Sequence, residues 1–126
     1  MPPGERIADA YLDLMFRRCR EFDGVVVVAD QDGTVVGFVA VWTRWRSSEP
    51  DDDPGPYGFV SDLVVSAAQR GRGIGRALLR AAETRVREAG VPALRLSVKA
   101  ANAGASALYA AEGFEAAEIE MEKRLA

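Results

Sequence analysis

The sequence has no histidine and a single cysteine, Cys19, in 126 residues. Without histidine there is no imidazole to serve as triad base, proton shuttle or metal ligand, and one cysteine cannot close a disulfide within the chain. Lysine is scarce too, since arginine supplies 14 of the 16 basic side chains. Against 19 acidic residues these leave a net charge of -3, opposite to the basic surface that a nucleic-acid or anionic-membrane binder needs. No apolar run approaches the ~18 residues of a membrane span, and residues 1–4 lack the charged-then-apolar layout of a signal peptide. The expectation is a cytoplasmic protein with no nucleic-acid and no membrane partner. Chemistry is left to carboxylates, tyrosine, serine, arginine, the two lysines and the backbone.

What is present, 48% hydrophobic and 28% charged residues, suits one globular domain over residues 1–126 with a single core. In residues 5–22, Ile7, Tyr11, Leu14, Met15, Cys19 and Phe22 recur every three or four positions, which predicts an amphipathic helix with Cys19 in its core stripe. The β-branched run of residues 25–29, the turn cluster Asp30-Gln31-Asp32-Gly33 and the Val-, Phe- and Trp-rich residues 34–45 predict a hairpin. Residues 46–56 carry prolines and the acidic cluster Glu49, Asp51, Asp52 and Asp53, a polar loop. Residues 57–65 resume as a strand whose alternation breaks at the adjacent polar pair Ser61-Asp62, which predicts a β-bulge.

Ile74, Leu78, Ala82, Val86 and Ala89 fall on one face of a helix over residues 73–89, stopped by Gly90. Residues 93–98 form a short strand, Asn102 caps an Ala-rich helix ending at Gly113, and residues 114–125 hold a last strand. There Ile119, Met121 and Leu125 face one way and Glu118, Glu120 and Glu122 the other. The order helix, β, β, β, helix, β, helix, β indicates an α/β fold with a parallel strand–helix–strand centre.

The chemically informative segment is Gln69-Arg70-Gly71-Arg72-Gly73-Ile74-Gly75-Arg76, between a strand and a helix start. Its glycines let the backbone approach a ligand, the helix N-terminus offers unpaired N–H groups, and Arg70, Arg72 and Arg76 add positive charge, which together suit a ligand carrying several phosphates. Arg76-Ala77 stands where a P-loop needs Lys followed by Ser or Thr, and the Gly-x-Gly-x-Gly spacing is not a dinucleotide fingerprint.

This segment resembles the core motif of the GNAT superfamily of acyl-CoA-dependent N-acetyltransferases, through Arg70, Gly73 and Gly75 behind the strand Leu63-Val64-Val65. A second block is matched by Asn102, Ala105, Leu108, Tyr109, Gly113 and Phe114, and Met121-Glu122-Lys123-Arg124-Leu125 is similar to the family's last strand. The resemblance covers residues 5–126 and implies a mixed, partly antiparallel sheet with helices on both faces. It also implies a first strand and helix ahead of residues 5–22, so that the domain is expected to be N-terminally short. The strand of residues 25–29 would then have an open edge, which invites pairing with another chain, as in a homodimer, or with the missing segment.

The resemblance further implies acetyl-CoA as acyl donor, with no metal. Its pyrophosphate would lie on Arg70, Gly71, Arg72, Gly73, Ile74, Gly75 and Arg76, and its pantetheine beside Leu63, Val64 and Val65. Asn102 either bonds the pantetheine or only caps its helix. Tyr109 is either the general acid for the departing thiolate or a core aromatic, and a backbone N–H near Leu63 or Val64 would stabilise the oxyanion. Asp62 is the candidate base for the incoming amine, beside Ser61 where many relatives carry Glu; a purely structural Asp62 is the other reading. The implied function is acetyl transfer to a primary amine of a small molecule or peptide by direct attack, the alternative being a non-catalytic acyl-CoA binding module. Trp42, Arg44, Trp45, Arg46 and residues 49–53 are expected to border the acceptor side.

Overall fold

The computed structural model describes residues 23–46 and 55–126, with Arg17 and Arg20; the rest of the helix expected over residues 5–22, Cys19 included, and the acidic residues 49–53 lie outside the described residues. Strands β1 (Gly24–Gln31) and β2 (Thr34–Trp45) form the predicted hairpin, closed by Asp32 and Gly33 at φ 51° and 85°. Two successive positive φ values give the turn twist that matches paired strands. Strand β3 (Tyr57–Val65) runs antiparallel to β2, and β4 (Leu94–Leu96) runs parallel to β3, giving the order β1-β2-β3-β4. Helix α1 (Ile74–Glu88) makes the crossover between β3 and β4, and α2 (Ala103–Ala111) follows β4.

The core forms where α1 lies on the sheet. Val39, Val41 and Val60 from the strands meet Leu78, Leu79, Ala82 and Val86 from α1, all within one buried cluster. These helix residues are spaced by one, three and four, so they make a single stripe. Gly58 permits the close approach, because a β-carbon there would sit 2.4 Å from Val86 Cγ2. On the opposite sheet face a smaller cluster gathers Val26, Phe38 and Trp42 around the buried Ala40. At the far end of α1, Arg44 Nη1 donates to the Ala89 carbonyl at 2.9 Å, a favourable place for a cation at a helix C-terminus.

The bulge falls where the polar pair predicts it. Ala40 pairs with Asp62 and Val41 with Val60, leaving Ser61 as the extra residue, with its Oγ donating to the Ala40 carbonyl at 3.3 Å. Two expectations need correction. Strand β4 spans three residues rather than residues 93–98, and residues 114–126 form no strand among the described residues. Ile119, Met121 and Leu125 are instead 75%, 88% and 89% exposed. Alternation prepares two faces for a strand, but a strand exists only when its N–H and C=O groups meet an edge.

Candidate active site

Strands β3 and β4 stay together only over Gly58, Phe59 and Val60, and the ladder ends at Val60 opposite Leu96. From Ser61 onward β3 keeps its partner β2 but is not laddered to β4. The main-chain groups of residues 61–65 that point away from β2 therefore line a notch in the sheet. The bulge at Ser61 sits where the strands part, since an extra residue bends and twists its strand.

Beyond Val65 the chain is held to the sheet by Ser66 N–H donating to the Val36 carbonyl at 2.8 Å. It then makes a short 3-10 turn (Ala67–Gln69) and enters the arginine- and glycine-rich loop. Gly71 and Gly73 have φ of 80° and 82°, which residues with a side chain rarely adopt. A β-carbon on either would meet no atom within 4 Å, so the requirement is torsional rather than one of space. Gly73 is the N-cap of α1 and brings no side-chain acceptor, and the first turn has no acidic residue. The first amides of α1 consequently face outward uncapped, with the positive end of the helix dipole behind them, an arrangement that binds phosphate. Gly75 in that turn faces Val65 and Leu108; its β-carbon would lie 3.8 Å and 3.7 Å from them, bringing α2 alongside.

The loop arginines divide their work. Arg70 Nε donates to the Val65 carbonyl at 3.3 Å and so braces the loop against the end of β3. Arg76 Nε lies 3.1 Å from Glu112 Oε1, and Arg80, one turn further along α1, places Nε 3.1 Å and Nη2 3.4 Å from the same carboxylate. Arg72 is exposed on the loop, with no ion pair among the described residues. Glu112 closes α2 as its C-cap, with a side chain only 13% exposed, and it clamps the two helices together. Sequence reasoning missed it. The available signal was the spacing of Arg76 and Arg80 on one helix face, which does not identify a partner 32 residues away.

Asn102 caps α2, its Oδ1 accepting from Ala105 N–H at 3.0 Å. Asn102 therefore does cap its helix, and its amide nitrogen takes no part in that bond. Tyr109 sits on the next turns of α2, packed against the main core cluster, with the Phe114 ring edge-on at 5.8 Å. Burial pushes its phenol above the ordinary 10.0, so the hydroxyl keeps its proton at neutral pH. Asp62 stands elsewhere. As the cross-strand neighbour of Ala40 it belongs to the opposite sheet face from the cluster that holds Tyr109. Tyr109 and Asp62 thus flank the parted strands from two sides.

The predicted acceptor-side aromatics lie near this second face and the base of β3. Trp42 stacks on Phe59 at 5.3 Å, Trp45 meets Tyr57 at 5.0 Å, and Arg95 Cζ lies 3.9 Å over the Tyr57 ring. Arg44 is engaged with the end of α1, as described above.

The family model described as "Acetyltransferase (GNAT) family" matches residues 2–114. An L-2,4-diaminobutyric acid acetyltransferase of Nocardia farcinica is 41% identical over 93 residues, which are 74% of this chain and 45% of that protein. A mycothiol acetyltransferase of Propionibacterium freudenreichii subsp. shermanii is 41% identical over 91 residues, 72% of this chain and 27% of that protein. The chain thus spans less than half the length of either relative. Among solved structures, AAC(6')-Iy in complex with the bisubstrate analog CoA-S-monomethyl-acetylneamine shares the fold, with a TM-score of 0.74 at 21% identity over 99% of this chain and 81% of that one.

Proposed function

Because the chain belongs to the GNAT family of acetyltransferases, we propose that it transfers an acetyl group from acetyl-CoA to the primary amine of a small polar molecule. The observation that carries this reading is the parting of β3 from β4 directly upstream of a glycine-turned, uncapped helix N-terminus. The residues suit the donor. The amides of Gly73, Ile74, Gly75 and Arg76, with Arg70, Gly71 and Arg72 around them, would hold the pyrophosphate. The freed main chain of Leu63, Val64 and Val65 would take the pantetheine as a pseudo-strand, because its amide groups can use the ladder positions that β4 leaves open. Bound acetyl-CoA supplies an acetyl thioester.

Around that position each residue has a separable task. A main-chain N–H of Leu63 or Val64 donates to the acyl oxygen as charge develops there. Tyr109, whose burial keeps it protonated, gives its proton to the sulfur as the carbon–sulfur bond breaks. Asp62, from the other face, receives the proton that the ammonium acceptor must lose before its nitrogen attacks. Acid and base on opposite sides of the sheet suit a direct transfer, in which nucleophile and leaving group occupy different sides of the carbonyl. Names carried by relatives, diaminobutyric acid and mycothiol, and the acetylneamine analog bound by the structural neighbour support a small acceptor bearing several polar groups.

The test is thiol release from acetyl-CoA with a panel of diamines, amino sugars and amino acids, alongside calorimetric titration of acetyl-CoA. Acetyl-CoA binding together with amine-dependent thiol release is the expected result. Binding without release from any amine would leave a non-catalytic acyl-CoA binding module in its place.

A further inference from the structure

Helix α2 carries the proposed proton donor, yet none of its nine residues is buried. Its apolar hold is at the margin of the core, through Tyr109 and, just past the helix end, Phe114. Shallow packing of this kind fixes the position of a helix only weakly. A polar tie takes over at its C-terminal end. Among the described residues, the ion pairs that join α1 to α2 all end on the Glu112 carboxylate, which takes Arg76 Nε at 3.1 Å and Arg80 Nε at 3.1 Å, with Arg80 Nη2 at 3.4 Å. The position is an unfavourable one for an acid. A C-cap lies at the negative end of its own helix dipole, where a cation is preferred, and this side chain is largely removed from water. A carboxylate set against the local preference and matched by two arginines of another helix fixes α2 on α1 rather than stabilising α2 itself.

The helices joined in this way carry the two ends of the proposed reaction. Arg76 belongs to the phosphate-binding start of α1, and because it meets Glu112 through Nε, the N–H groups of its terminal nitrogens remain for a phosphate. On the other side Glu112 is wound onto Tyr109. Its N–H donates to the Tyr109 carbonyl at 3.1 Å, the Phe114 N–H donates to the same carbonyl at 3.0 Å, and the Phe114 ring lies edge-on to the phenol. A displacement of Glu112 is therefore passed to Tyr109. We infer that Glu112 is a positioning residue for acetyl transfer: through Arg76 and Arg80 it sets the Tyr109 hydroxyl at a fixed reach from phosphates held at the start of α1, so that the hydroxyl meets the sulfur of the same acetyl-CoA. The role rests on the acetyltransferase reading above. A proton donor needs such a tie, since a misplacement of about 1 Å is enough to cost roughly 100-fold in rate.

Steady-state kinetics with the best amine of the panel, together with calorimetric titration of acetyl-CoA, test the role. Glu112→Gln keeps the side-chain shape and removes the charge; it should lower kcat about 10-fold while acetyl-CoA affinity stays within about threefold of the parent. Arg80→Gln cuts the same tie from an exposed side chain outside the phosphate loop and should give the same split between kcat and affinity. In a Tyr109→Phe background neither substitution should lower kcat further, because the group being positioned has gone. A clamp that only stabilised the fold would lower activity equally in both backgrounds, and that outcome overturns the inference. So does an unchanged kcat in both variants, or a loss confined to acetyl-CoA affinity. A parent that binds acetyl-CoA and releases thiol with no amine removes the acetyltransferase reading and this role with it, whereas an active parent whose variants lack the split removes the role alone.

Discussion

The two halves of β3 share one neighbour and differ in the other. Residues 58–60 lie between β2 and β4 with α1 pressed onto them, closely enough that Gly58 has no room for a β-carbon. Residues 61–65 keep only β2 and end in the arginine- and glycine-rich loop, with Val64 43% exposed. A few residues along one strand thus separate a part that holds the fold from a part that leaves hydrogen-bonding groups available. Substitutions in the first half should be felt as stability, and those around the second as binding or rate.

The largest effect is expected beyond the open half. Gly73→Glu puts a side chain at φ 82° and a negative charge on the proposed phosphate site, so acetyl-CoA affinity measured by calorimetry should fall by two to three powers of ten, about 3–4 kcal/mol. The melting temperature should fall by only several degrees, because the cost to the fold is the left-handed backbone strain of one residue, about 1–2 kcal/mol, at a position with no packed neighbour. A large loss of stability with affinity intact would collapse the distinction between the halves. Next in size, Tyr109→Phe should lower kcat by roughly 100-fold with little change in acetyl-CoA affinity. Because burial raises the Tyr109 pKa above 10.0, its acid form persists through neutral and mildly alkaline pH. The rate profile should therefore show no Tyr109-dependent alkaline fall below pH 10, and such a fall near pH 8 that vanishes in Tyr109→Phe would contradict this.

Gly58→Ala probes the closed half. Its methyl would approach both γ-carbons of Val86, at 2.4 and 2.8 Å, and should cost about 1–3 kcal/mol of stability in denaturant unfolding. The acetyl-CoA affinity of the molecules that remain folded should be unchanged. The smallest effect is expected for Asn102→Ala, which removes the cap of α2 and should cost about 1 kcal/mol. If acetyl-CoA affinity falls more than ~10-fold in that variant, the amide also binds the ligand and the helix that follows the sheet's free edge belongs to the functional part.

Much of this division was legible in the residues. The limits of β2 and β3, the loop that starts α1 and the bulge at Ser61 follow from local chemistry, because β-branched runs, positive-φ glycines and an out-of-phase polar pair act over a few positions. Glu112 was not legible, since an ion pair between two helices depends on how those helices dock. The last predicted strand failed for a related reason: Ile119, Met121 and Leu125 state which side of a strand is apolar and say nothing of whose edge it joins. The length of β4 was overestimated likewise, its pattern running on past the point where β3 turns away.

The bulge also sets a counting rule for the whole strand. Before Ser61 the even-numbered Gly58 and Val60 face α1; after it the odd-numbered Leu63 and Val65 pack on the same core. One inserted residue changes the parity. Deleting Ser61 would restore plain alternation, with Val60, Leu63 and Val65 still inward and Asp62 still outward, and would remove only the bulge that bends β3. The inward and outward faces of the strand thus do not depend on position 61 being occupied; what the extra residue supplies, whether or not it is serine, is the bend at the point where β3 leaves β4.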